Sequence, residues 1–137
     1  MRIKLLFCLS IALSILSCSS SKKVNSNDYL VNEKDYIKAY KAFVFYGCFN
    51  EGTKGNFSEF LKKNNDLGLF SETEVIFQST ANFADSLGRI YSHKIEPFDY
   101  GDGKGKTPNL SACLLYAFSN EIDSLAKINY KQLQKCK

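Results

Sequence analysis

Apolar side chains in this chain recur three and four residues apart from Tyr36 to Ile128, and no stretch of five alternates at period two with strand-like composition. That spacing places one apolar stripe on each of several helices and leaves little from which to build a sheet. Asn32 is positioned to cap a first helix, with Glu33 and Asp35 beside the positive end of its dipole. Its stripe runs through Tyr36, Ile37, Tyr40, Phe43, Val44, Gly47 and Cys48, and Asn50 and Gly52 end it. A short second helix, from about Phe57 to Asn64, is expected to bury Phe57, Phe60 and Leu61. Ser71-Glu72-Thr73-Glu74 reads as a capping box that opens a third helix, whose face is Ile76, Thr80, Phe83, Ala84, Leu87 and Tyr91. The last helix opens at Thr107-Pro108, where proline's missing N–H costs nothing. Its stripe passes through Leu110, Cys113, Leu114, Ala117, Phe118, Ile122, Leu125 and Ile128, and it reads as one long helix with a break available at Ser119-Asn120. The expected fold is all-α, a compact bundle of four to five helices.

The front of the chain has a different character. Arg2 and Lys4 precede an apolar run from Leu5 to Leu16, and small residues surround Cys18. A run of about 12 residues covers roughly 18 Å as a helix, well short of a bilayer core, so it reads as a secretory signal and not as a span. Ile15-Leu16-Ser17-Cys18 resembles the lipobox of bacterial lipoproteins, which implies cleavage before Cys18 and a lipid on its sulfur. The alternative is an ordinary signal peptide with an incidental cysteine. Ser19 resembles the pattern that favours the outer membrane. The expected organisation is a signal peptide over 1–17, a polar tether over 18–31 and a helical domain over 32–137, in an oxidising envelope compartment facing the periplasm.

Without Arg2 and Lys4 the 18 basic residues become 16 against 14 acidic ones, and the charges are dispersed. Nucleic acid, which demands a clustered basic face, is not an expected partner. Of the 5 cysteines, Cys8 leaves with the signal and Cys18 takes lipid. Cys48, Cys113 and Cys136 then allow three single pairings. Cys48 and Cys113 lie in apolar helical stretches and Cys136 is penultimate, so Cys48–Cys113 is the favoured disulfide. The alternative is a pair of buried thiols.

The connection Lys94–Lys106 is long, rich in glycine and charge, and carries two exposed-looking aromatics, Phe98 and Tyr100. Such connections often serve function, although a plain surface loop is the competing reading. Gly105-Lys106-Thr107 imitates the end of a phosphate-binding loop, but Tyr100 stands where the first glycine belongs and no strand precedes it. Asp99 and Asp102 lack the acidic alternation and closing glutamate of a calcium loop. His93 is the only histidine; a zinc site would need it to converge with three scattered cysteines. Cys48 or Cys113 on an apolar face makes a poor nucleophile for a Cys–His pair. The expectation is no enzyme, no metal and no cofactor.

Tyr46-Gly47-Cys48, together with Cys113-Leu114-Leu115-Tyr116-Ala117-Phe118-Ser119-Asn120-Glu121-Ile122-Asp123-Ser124-Leu125-Ala126, resembles the periplasmic amidase immunity proteins of type VI secretion systems, in the group with a cysteine on each of two helices. The resemblance implies a small all-helical protein, often dimeric, that binds a peptidoglycan amidase toxin and blocks its cleft. Cys48 and Cys113 match the two motif cysteines, which adds support to their pairing. A blocker needs a rigid scaffold and a projecting element, and aromatic anchors usually supply most of such binding energy. Phe98, Tyr100, Asp102 and Lys104 are the expected partner-binding residues. A non-inhibitory envelope adaptor is the alternative.

Overall fold

The computed structural model describes residues 32–66 and 75–135, all helices, turns and loops, with no strand among them. Cys18, the signal and tether, the capping box at 71–74 and Cys136 lie outside the described residues. Among the described residues there are five α-helices: α1 Glu33–Gly52, α2 Asn56–Lys63, α3 Gln78–Ser92, α4 Asn109–Ala117 and α5 Asn120–Lys135. None is long and apolar enough to cross a membrane.

The first helix is the spine on which the other four pack. Its start follows the expectation: the Asn32 side chain accepts a hydrogen bond from the Asp35 N–H at 2.9 Å, satisfying one of the donors a helix leaves orphaned. Its stripe is buried from Tyr36 through Ala39, Tyr40, Phe43 and Val44 to Cys48, and it meets Ala81 and Ala84 of α3, Ala117 of α4, and Ile122 and Ala126 of α5. Full burial of a side chain such as Val44 or Ile122 contributes roughly 1.5–3 kcal/mol.

Small residues set the closeness of α1 and α3. A Cβ on Gly88 would run into the Val44 carbonyl oxygen and the Cys48 nitrogen, and one on Gly47 into the Asp85 carbonyl. Two backbones can approach this closely only where a side chain is missing from each. At the far end of α1, Tyr46 and Phe49 pack on Phe57, and Asn50 Oδ1 accepts from both the backbone and the hydroxyl of Ser58, which seats α2.

Three local expectations change. The third helix begins at Gln78, because Val75–Phe77 form a turn and Phe77 is extended at ψ 145°. Ile76 is buried from that turn, not from the helix. The last segment is two helices, broken at Ser119: its hydroxyl accepts the Ile122 N–H at 3.3 Å and caps α5. Finally, Phe60, Phe83, Leu110, Leu114, Phe118 and Ile128 are exposed although each belongs to an expected stripe. On α4 the reason is covalent. Cys113 bonds to Cys48 at a Cα–Cα separation of 5.6 Å, which turns Cys113 and Ala117 inward and carries Leu110, Leu114 and Phe118 outward.

Candidate functional site

The connection between α3 and α4 is folded on itself. Lys94 and Ile95 turn off the end of α3 through bonds to the Tyr91 and Ser92 carbonyls. The Phe98 N–H then donates to the Lys106 carbonyl at 3.0 Å, and the Phe98 carbonyl accepts from the Gly105 N–H at 2.8 Å. Gly101–Gly103 makes a single 3₁₀ turn at the tip. Gly101 and Gly105 take φ of 65° and 78°, which side-chain-bearing residues rarely adopt, so the glycines there are required by the turn. The Phe98 ring lies over Gly103, where an added Cβ would come within 3.0 Å of it.

Phe98 and Tyr100 form an edge-to-face pair with ring centroids 6.4 Å apart. Tyr100 is 74% exposed and Phe98 43%, values unusual for aromatic side chains held in a defined geometry. Asp102 and Lys104 are exposed on the same tip. The four residues expected to bind a partner are therefore presented on one short loop.

Its base rests on the last turn of α1. On one stem, His93 caps α3 and its Nε2 lies 3.5 Å from Glu51 Oε1. On the other, Asn109 Nδ2 donates to the Gly52 carbonyl at 2.8 Å. One turn further along α4 is the Cys48–Cys113 bond, and the stems are joined by Tyr91 stacked on Tyr116, with centroids 3.8 Å apart and planes within 4°. The chain's 2 prolines, Pro97 and Pro108, flank the loop and restrict φ at each stem.

Beside this base is a shallow cleft of about 370 Å³ lined by Thr107, Pro108, Asn109, Leu110, Ser111 and Leu114. It opens onto the outer side of α4, where Leu110, Leu114, Leu115 and Phe118 are exposed. No residue from Asn109 to Ser119 is charged. Helical spacing alone assigned most of these side chains to the core. The signal that could have separated them is the missing polar face: a one-faced helix needs charged residues opposite its stripe, and α4 has none.

Away from the loop, the shifted titratable groups lie on α1, α4 and α5. Asp123 on α5 is held between Lys127, at 2.5 Å, and Lys41 of α1, at 2.7 Å, and these partners bring its carboxyl down from 3.8 to about 2. Burial, with the neighbouring Tyr36 and Tyr116, pushes Tyr40 up to about 12. Among the described residues no group of three or more His, Cys, Asp and Glu side chains is placed to hold a metal ion. Neither a family model, nor a curated protein, nor a solved structure matches the chain.

Proposed function

We propose that this chain is an envelope lipoprotein that acts by binding another protein, as an immunity protein that occupies the cleft of a secreted peptidoglycan amidase. The observation that supports the reading is the folded loop 98–106, which holds an exposed aromatic pair beside the Asp102 carboxylate and the Lys104 ammonium on a cystine-stapled base. An inhibitor gains most from such a loop because little ordering entropy is lost on docking. The cysteine pattern at Cys48 and Cys113 supplies the toxin class, through its resemblance to the two-cysteine immunity group. Lipid on Cys18 would hold the molecule at the membrane, raising its local concentration where a toxin arrives without adding any contact. Outer-membrane placement follows from Ser19 in the same reading.

Cells that export the amidase to their periplasm test it. Survival is expected with the wild-type chain, and lysis with a variant carrying Phe98→Ala and Tyr100→Ala that is produced at the same level. Equal survival with both would remove the loop from the account.

A non-inhibitory adaptor is favoured by one observation, the uncharged outer side of α4. Contiguous exposed leucines suit a lasting protein contact more than a cleft-filling one. Loss of partner capture on Leu114→Asp, with the Phe98 and Tyr100 variant still binding, would select the adaptor.

A further inference from the structure

The loop closes on itself through Phe98, Gly105 and Lys106, but these bonds give it no direction and stay closed only while its two stems are held in place. Direction is decided at the stems. The stem entering from α3 ends in an exposed histidine 3.5 Å from Glu51, a contact readily exchanged for water. The stem leaving toward α4 is held differently. Asn109 spans 57 positions of sequence to reach the Gly52 carbonyl, and the bond is partly buried. That carbonyl is one of the acceptors a helix end leaves without an intrahelical partner. The seat is also shaped for it: a Cβ on Gly52 would come within 2.9 Å of Asn109 Cγ and Oδ1. Gly52 does not have a positive φ, so helix geometry does not require glycine there. The space for Asn109 does.

We infer that Asn109, seated on Gly52, is the positioning residue of the partner-binding loop, setting the direction in which Phe98 and Tyr100 are presented. This rests on the loop being the binding element, but its test reads the loop in the free protein. A failed toxin assay would leave the result standing.

The test is residue-resolved amide hydrogen exchange on the full oxidised chain. Asn109→Asp keeps the size of the side chain and its place in the first turn of α4 but cannot donate to a carbonyl when ionised. Exchange at Phe98, Gly105 and Lys106 is expected to rise about fivefold, the range of one lost hydrogen bond. Amides of α1 and α5 should be unchanged. Gly52→Ala attacks the same seat from the other side and should give the same loop-confined rise. In the double variant Gly52→Ala with Asn109→Ala, the clash is relieved, and exchange should be no faster than in Asn109→Ala alone. Faster exchange spread evenly over all helices would make Asn109 a stabiliser of the whole fold and overturn the inference. So would unchanged loop exchange in both single variants, or additive effects in the double variant.

Discussion

Gly88 on α3 lies against Val44 on α1 so closely that a Cβ would overlap the Val44 carbonyl oxygen. The atom in the way is backbone, which cannot swing aside as a side-chain end can. Gly88→Ala should therefore force α1 and α3 apart and lower stability by about 3 kcal/mol, the upper part of the range for overpacking. Urea unfolding of the two proteins checks it. Gly55→Ala, where nothing lies near, reports only the cost of its φ of 84° and should lose less.

The cystine closes 65 residues of chain. A loop of that length, left open in the unfolded state, is expected to cost about 4 kcal/mol of stability in the chain-entropy model. The matched pair Cys48→Ala with Cys113→Ala should lose most of that, measured by denaturant unfolding under non-reducing conditions. Addition of a dithiol reductant should destabilise the wild type and leave the variant unchanged.

Stability in acid should depend on Asp123. Its carboxyl is brought down from 3.8 to about 2 by Lys127 and Lys41. A depressed carboxylate contributes stability above its unfolded value, and that contribution disappears as pH falls from about 4 to about 2. Asp123→Asn should flatten the stability curve in that window and leave its shape above pH 5 little changed. Thermal melts across pH 2–6 measure the difference.

At the alkaline end the sign reverses. Tyr40 is raised from 10.0 to about 12 by burial, then by Tyr36 and Tyr116. A raised phenol contributes stability in full below its unfolded value and loses it as pH climbs from about 10 to about 12. Tyr40→Phe should weaken the alkaline fall in melting temperature and remove part of the late-appearing tyrosinate absorbance, to which Tyr36 and Tyr116, also raised by burial, contribute as well.

The fold class is legible in the chain because a spacing of three and four leaves no other economical way to bury Tyr36, Tyr40, Val44, Ile122 and Ala126. The start of α1 is legible too, since Asn32 carries a cap; its end is only located, because the chain leaves the helix at Lys54 and Gly55, with φ of 54° and 84°, and not at Gly52. The cysteine pair is legible from its surroundings. The start of α3 is not, because Ile76 enters the core from a turn and imitates one more helical position. The outer side of α4 is hidden for a related reason: a stripe states that a helix has an apolar face, but α4 has no charged face to oppose it, and the Cys113 bond chooses which side turns inward. Of the candidate site, the residues Phe98, Tyr100, Asp102 and Lys104 are legible from composition. The fold of their loop is not, since it is closed by backbone bonds of Phe98, Gly105 and Lys106 that composition does not announce.

In the proposed function, Tyr100 and its neighbours block an amidase by contact. The direct measurement is titration of a purified peptidoglycan amidase, acting on cell-wall sacculi, with the oxidised wild-type chain and with Tyr100→Ala. Loss of a central aromatic anchor is expected to weaken inhibition at least tenfold, corresponding to about 1.4 kcal/mol. Equal potency of the two proteins, or an amidase untouched by the wild type at saturating concentration, would contradict the account.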